Sequence, residues 1–460
     1  MASIVICGGS VIGLSVAMML TADGHDVVVL EADPDPVPDS VDAAWSAWRR
    51  PGVPQFRQPH NFYPRARQVL EAELPHLPPR LAAAGCGSRN LVAAPPPTIV
   101  DRALRPGDEV FETFTARRTT FEWVLAQAAQ EQLDVRRGER ALGLLPGTSV
   151  RPGVVHVAGV RTTRGTLSAD LVIDATGRRS QVDAWLAELG TPPPVVESAD
   201  SGFLYYTRFF AGAQPELRAP GLSPLGSISL ATIPSDNSTW CLTFVGSAGD
   251  APLKNLRHVE VFDRVVRAHP LHAHWLEGEP RSDVLPMAGV LDRHRELVAD
   301  GVPRVTGLLN VGDSWACTNP SAGRGISLGL MHAQLLRSAV AEHLADPAAL
   351  ALAFHAATRE QVEPYYRGQL DADRFRLAEM AAVRAGAPTP PLPDPVARLL
   401  GAMQTDADAY RWFMETICCL AAPAEILRRP DVMRRILATE PAAPMRLPGP
   451  DREALLALLS

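Results

Sequence analysis

The sequence predicts an α/β protein: a discontinuous Rossmann-like domain that carries an inserted antiparallel β-sheet domain and ends in a helical C-terminal region. Three observations predict it. The chain opens on an apolar strand, a Gly-rich turn and a helix; a second strand, Gly-rich loop and helix return about 300 residues later; between them lies a stretch of alternating aromatic and β-branched residues. At 460 residues, 46% of them apolar and 21% charged, the chain can bury a core sufficient for two or three folding units.

The elements read in order as follows. Ser3–Cys7 is a strand, Val11–Ala22 a helix and Asp26–Leu30 a second strand, together a βαβ start. A helix pattern recurs at Thr119–Gln130, then come the short strand Leu133–Arg136 and the β-rich runs Val154–Val160 and Ala169–Ala175. Ser201–Gly246 alternates, as in Phe203-Leu204-Tyr205-Tyr206 and Thr239-Trp240-Cys241-Leu242-Thr243-Phe244, which predicts an antiparallel sheet. Strand Gly307–Val311 leads into a Gly-rich loop and a helix from Gly325 to Leu344. Beyond Asp346 the pattern is helical, interrupted by a proline-rich linker, Ala387–Pro395. The first domain is expected to comprise residues 1–75, 100–185 and 290–345, the sheet domain 76–99 and 195–289, and the helical region 346–460.

The first turn, Gly8-Gly9-Ser10-Val11-Ile12-Gly13, sits between the first strand and helix, and Glu31 ends the second strand. Gly8 permits the tight turn, Gly13 lets helix and strand approach, and Ser10 stands where a second glycine is usual. The free amides of the helix start receive a pyrophosphate. Glu31 has the spacing of an acid that bonds a ribose hydroxyl and disfavours a 2′-phosphate. This half-site suits NAD and FAD alike. The second loop discriminates: Gly312-Asp313, then Pro320, Gly323 and Gly325-Ile326, follow a strand and open a long helix. Asp313 can accept bonds from the hydroxyls of a ribityl chain. The glycines let amides approach a ring, and the helix start stabilises negative charge that develops there on reduction. NAD enzymes need no such distant half-site, so FAD is the expected cofactor of a Rossmann-like FAD-binding domain.

The spacing Gly-Asp, six residues, Pro-x-x-Gly-x-Gly resembles the FAD-ribityl motif of the class A flavin monooxygenases related to para-hydroxybenzoate hydroxylase. Trp315-Ala316 replaces the family's frequent Ala-His, and Ser327 its frequent Asn. Asp170–Arg178 is similar to the family's strand near the flavin, with Thr176-Gly177 in place of Asp-Gly. Arg118-Thr119-Thr120-Phe121-Glu122-Trp123 is similar to its Arg-x-x-Leu-Glu helix start, whose arginine contacts the cofactor. Arg50-Pro51-Gly52-Val53-Pro54-Gln55 with Arg57 and His60, the Ala-Thr-Gly-Arg run, and Asp200–Arg208 resemble the bacterial polyether-forming flavin epoxidases, themselves akin to squalene monooxygenase.

The resemblance spans roughly residues 3–345. It implies an FAD-dependent monooxygenase in which NADPH or NADH, directly or through a flavin reductase, reduces the flavin. O2 is then activated as a flavin C4a-hydroperoxide, and an apolar, electron-rich substrate is hydroxylated or epoxidised. The chemistry is centred on the flavin, so no side chain is singled out as catalytic. Of the pair Arg49-Arg50, Arg50 is taken to point toward the cofactor, and His60 is read as structural. Tyr206, Phe210 and Trp240 of the inserted sheet, with Pro320, are expected to line the substrate cavity.

Other classes are disfavoured. The six cysteines, at 7, 86, 241, 317, 418 and 419, have no metal-ligand or disulfide spacing. A net charge of −7 without a basic run argues against nucleic acid. No signal peptide or membrane span is read, so the cytoplasm is the expected location. A flavin halogenase relies on a lysine and a Trp-x-Trp-x-Ile-Pro signature, whereas this chain has Trp45-Ser46-Ala47-Trp48-Arg49-Arg50 and a single lysine, Lys254. A reductase or oxidase of the same fold, and a non-catalytic FAD-binding protein, are the remaining alternatives.

Overall fold

A five-stranded sheet ordered Leu308–Asn310, Leu171–Asp174, Ser3–Cys7, Asp26–Glu31, Asp134–Arg137 organises the N-terminal half, and every neighbouring pair is parallel. The computed structural model describes residues 1–96, 98–441 and 446–460. Valine, leucine and isoleucine dominate these strands because both faces are covered. Ile4, Ile6, Val29 and Ile173 face the helices Val11–Ala22, Arg118–Gln130 and Gly325–His343. Val5, Cys7, Leu30 and Val172 face a layer made of the strands Ala141–Arg151 and Val154–Thr162 and the helix Val182–Glu188. The strand from residue 308 returns beside 171–174, so the domain is discontinuous, as the second Gly-rich loop implied.

The inserted sheet is antiparallel. Phe203–Ala211 pairs with Thr239–Ser247 on one side and Leu285–Ala288 on the other, while Ile228–Pro234 and Leu222–Leu225 extend it beyond 239–247. Successive residues point to opposite faces. On one face Leu204, Tyr206, Phe210, Trp240, Leu242 and Phe244 pack against Phe262, Val265 and Val266 of the helix Val259–Arg267 and against Leu455 and Leu459 of the last helix, Arg452–Leu459. Each of these large side chains, fully buried, is worth about 1.5–3 kcal/mol.

Residues 76–99 depart from the expected partition. Leu77 and Leu81 sit in the core of the parallel sheet, and Gly87–Asn90 pairs with Glu112–Thr115, the strand leading into the helix at Arg118. The tail does not form a body of its own either. Pro347–Gln361 packs on Gly325–His343, and Met380 of the helix Glu363–Ala385 lies among Phe203, Tyr205 and Val245. That helix stops at Gly386, whose φ of 62° suits an αL terminus. A proline-rich stretch without helix or strand follows, two residues shorter than the expected Ala387–Pro395 because Asp394 and Pro395 already open the helix Asp394–Ala402, after which comes Ala407–Ile417. Among the described residues no helix is long and apolar enough to cross a membrane.

Candidate functional site

The carboxyl ends of three adjacent parallel strands open onto a cavity of about 1840 Å³. Ser10–Ile12 follow the strand 3–7, Ala175–Arg178 follow 171–174, and Gly312-Asp313 follow 308–310; all line it, as do Gly323–Ile326. Ligands of open α/β sheets bind at this edge. The turn at Gly8 has φ 113°, and a Cβ there would lie 2.4 Å from the Ala175 carbonyl oxygen. At Gly13 a Cβ would lie 1.8 Å from the Gly8 carbonyl oxygen. Side chains at either position would push helix and strand apart. Gly8, Gly9 and Gly13 shape the turn from behind, and Ser10 is the member of the motif's first half that reaches the cavity.

Asp313 faces the cavity without a hydrogen-bond partner among the described residues, and burial pushes its carboxyl above the usual range against the pull of Arg118 and Arg178. Its loop is rigid. The Ser314 hydroxyl donates to the Asp174 carbonyl at 2.5 Å, and the Val311 amide to the same oxygen at 3.0 Å. Asp174 is buried and accepts from the Thr176 amide at 3.0 Å and from the Thr176 and Ser180 hydroxyls at 2.5 and 2.6 Å, which fixes the Thr176-Gly177-Arg178 turn. The Gly312 amide donates to Nδ1 of His332 at 3.2 Å, and His332 Nε2 meets the Thr358 hydroxyl at 3.0 Å. Burial drops His332 to about 3, so it is neutral and serves as acceptor at one nitrogen and donor at the other. Asp174 and His332 were not singled out from sequence; an acid inside an otherwise apolar strand was the available signal for the first.

Arg118 also reaches the cavity, donating to the Ser10 hydroxyl at 3.0 Å and to Glu122 at 3.2 Å. Its third contact, 3.1 Å to His60 Nε2, fixes that ring as the neutral Nδ1–H tautomer, which donates to the Gln58 carbonyl at 2.9 Å. Burial and the Arg118 charge hold His60 at about 3.

Arg50 and Glu31 are arranged differently from expectation. Arg50 does not line the cavity: its guanidinium lies 2.7 Å from Glu31, 3.2 Å from Asp33 and 3.1 Å from Glu122, and stacks over Trp48 at 5.1 Å. Glu31 is buried beneath it and also accepts from the Asp33 amide at 2.8 Å. Three carboxylates converge here, so the arginine is held by charge compensation, which the pair Arg49-Arg50 alone did not reveal. Arg49 pairs with Asp35 at the surface.

The far end of the cavity is walled by the inserted sheet and the tail. Tyr205, Ala231, Ile233, Thr243 and Val245 line it, together with Pro320, Tyr365, Phe413 and Met414. The expected residues Tyr206, Phe210 and Trp240 lie on the opposite face, inside the core under the helix Val259–Arg267. Both faces are apolar, so composition favoured the more aromatic one, and a one-residue difference in parity reversed the assignment. Beneath the Pro320–Gly323 turn, Tyr205 donates to Oδ1 of Asn319, whose amide donates to Asp373 at 3.0 Å; Ser321 and Gln369 donate to the same Asp373 oxygen at 3.0 and 2.9 Å. One further cluster, His294, Glu296 and Glu363, brings ligand atoms within 4.8 Å of one another, but Glu363 is already compensated by Arg359 and Arg367 at 3.2 and 3.0 Å.

No family model matches the chain. Protein Rv3254 of Mycobacterium tuberculosis is 26% identical over 448 residues, 90% of this chain and 89% of that one. Among solved structures, the flavin-dependent brominase Bmp2 superposes with a TM-score of 0.61 at 15% identity, over 95% of this chain and 98% of its own. PqsL of Pseudomonas aeruginosa, described as a probable FAD-dependent monooxygenase, gives 0.59 at 17% over 83% and 96%. OxyS, an anhydrotetracycline hydroxylase of Streptomyces rimosus, gives 0.58 at 18% over 91% and 76%. The fold is that of the class A flavin monooxygenases. Within that flavin monooxygenase fold, the residues from Ser10 through Asp313 to Ile326 suit FAD from its pyrophosphate to its ring: free helix-start amides, an unpartnered carboxylate and glycine turns facing one cavity. Glu31, the expected ribose contact, is covered by Arg50.

Proposed function

We propose that the chain is an FAD-dependent monooxygenase that hydroxylates or epoxidises an apolar, electron-rich organic molecule with oxygen taken from O2. The continuity of the cavity carries this reading: one space joins the dinucleotide-type strand edge to an apolar wall supplied by a second sheet and the tail. FAD, when bound, supplies the redox and oxygen-activating chemistry. The chain's residues do the rest. The start of the helix Val11–Ala22 holds the pyrophosphate, Asp313 accepts ribityl hydroxyls, and Gly323–Ile326 present amides and a helix start to the ring. The sheet and tail seat the substrate and keep water from the reacting centre. Glu31 takes a ribose only if Arg50 moves aside. Electrons come from NADPH or NADH, directly or through a flavin reductase, in the cytoplasm.

Halogenation, the activity named for Bmp2, is disfavoured because Lys254, the only lysine, lies exposed on the 3-10 turn Ala251–Arg257, away from the cavity lining. The test is to load the protein with FAD, reduce it, and expose it to ¹⁸O-labelled O2 with a terpenoid polyene or a naphthol. Label in the product supports the reading; oxygen from water, or a product merely dehydrogenated, favours an oxidase or reductase.

A further inference from the structure

Seven arginines line the cavity, and most are already engaged there. Arg118 binds Glu122, Arg324 donates to Gln369 at 2.8 Å, Arg179 to the Pro51 carbonyl at 3.0 Å, Arg102 to the Pro96 carbonyl at 3.2 Å, and Arg218 to Glu216 at 3.3 Å. Arg178 stands near Asp313 at the cofactor end. Among the described residues neither Arg178 nor Arg89 has a side-chain hydrogen-bond or ion-pair partner, but Arg89 has no carboxylate near it to match the Asp313 beside Arg178. Arg89 projects from the strand Gly87–Asn90, held in register opposite Thr113, whose hydroxyl is tied to the Phe62 carbonyl at 2.7 Å.

Its surroundings are apolar. Tyr63, Tyr410 and Cys418 are its near neighbours, and they belong to a cluster with Val92, Phe111 and Met414. Burial lowers the affinity of Arg89 for its proton, yet a guanidinium remains charged at any physiological pH. The other cavity acids cannot compensate it: Glu379 is held by Arg376 at 2.5 Å and Asp394 by Arg398 at 2.8 Å, while Asp313 lies at the cofactor end. Arg89 is half-buried, and its uncompensated charge against an apolar wall favours an anion that enters the cavity. A link to the reacting end is also present, because the Tyr63 hydroxyl donates at 2.8 Å to the Ala322 carbonyl in the Gly-rich turn.

We infer that the substrate is an amphipathic carboxylic acid, its carboxylate paired with the Arg89 fork and its hydrocarbon body lying along the cavity toward the Pro320–Gly323 turn. This deepens the monooxygenase reading and rests on it. A planar guanidinium matches a carboxylate through two parallel hydrogen bonds, whereas a neutral amide of the same shape can offer only its carbonyl.

The test is calorimetric, on FAD-loaded protein, with two isosteric pairs as probes: 2-naphthoate against 2-naphthamide, and dodecanoate against dodecanamide. Each acid is expected to bind about tenfold or more tightly than its amide. Arg89→Met is expected to erase that preference, weakening the acids about tenfold or more and the amides far less, while Arg89→Lys, which keeps the charge and loses the fork, retains part of it and serves if the Met variant does not fold. Equal binding of acid and amide, binding of neither, or a preference that survives Arg89→Met overturns the inference. The readout needs no turnover, so an acid preference without ¹⁸O in any product breaks the monooxygenase reading and not the acid site; labelled product without acid preference does the reverse.

Discussion

The two ends of the cavity are built from different materials. The strand-edge end is backbone: three turns after three parallel strands, fixed by glycines and by hydrogen bonds to main-chain atoms. The far end is side chains from segments remote in sequence, the inserted sheet, the segment from Arg89 to Pro96 and the helical tail. A backbone site tolerates little change in its turns and depends weakly on surrounding side chains. A side-chain wall can be rewritten residue by residue, so under the proposed function chemistry is set at one end and substrate at the other. Variants at the two ends should therefore separate stability, cofactor affinity and product.

The largest effect is expected away from both ends, on the hidden face of the inserted sheet. Phe210 is 1% exposed, and Phe210→Ala should cost about 3–5 kcal/mol of stability by leaving a cavity in the core. Tyr205→Phe, on the cavity face, removes only the hydroxyl that Asn319 accepts, at about 1 kcal/mol. Denaturant titration measures the first, and product distribution should respond to the second. If Phe210→Ala shifts product and Tyr205→Phe does not, the facing assignment is wrong.

A smaller effect is expected at the backbone end. Asp313→Ala should leave the fold intact and weaken FAD binding by about 1.5–3 kcal/mol, roughly 10- to 150-fold in Kd, through loss of charge-assisted acceptor bonds. Glu31→Gln should weaken it less, because Glu31 is already engaged by Arg50 at 2.7 Å. Fluorescence titration with FAD checks both, and an unchanged Kd for Asp313→Ala would remove that residue from the site.

The same contrast explains what was legible in the sequence. The helix at Val11–Ala22, the turn at Gly8 and the Gly312-Asp313 loop could be read because each requirement, a positive φ or a backbone approach, falls within about six residues of the chain. The face of the inserted sheet could not, since a two-residue period names two faces without saying which is covered. The answer lies in Phe262 and Val265, on a helix some 50 residues further on. Arg50 was legible as a charge and illegible as a partner, because Glu31, Asp33 and Glu122 converge on it from two other segments, one of them about 70 residues away. Arg89, Asp373 and His332 gave no local signal at all: their roles depend on contacts such as Asn319 with Asp373 or His332 with Thr358, made across the boundary between domain and tail.

Asp373 offers the finest test of that boundary. It comes from the tail, is 5% exposed, and receives three donors on one oxygen while the other has no hydrogen-bond partner within the protein. Burial pushes its carboxyl from the ordinary 3.8 up to about 6. A carboxyl with a raised folded-state pKa binds its proton more tightly in the folded than in the unfolded chain, so stability falls as pH rises from about 4 to about 6 and stays lower above that. At 1.36 kcal/mol per unit the full penalty is about 3 kcal/mol, of which relaxation around the site should leave about 1–2 kcal/mol to be measured. Asp373→Asn keeps an oxygen for the three donors and cannot ionise. It should be more stable than the native chain by that amount at pH 7.5 and gain nothing at pH 4, read as the difference in unfolding free energy at equal m. A difference that stays constant between pH 4 and 7.5 would mean that Asp373 does not titrate in this window, and that the tail meets the Gly-rich turn through a carboxylate already compensated in the folded protein.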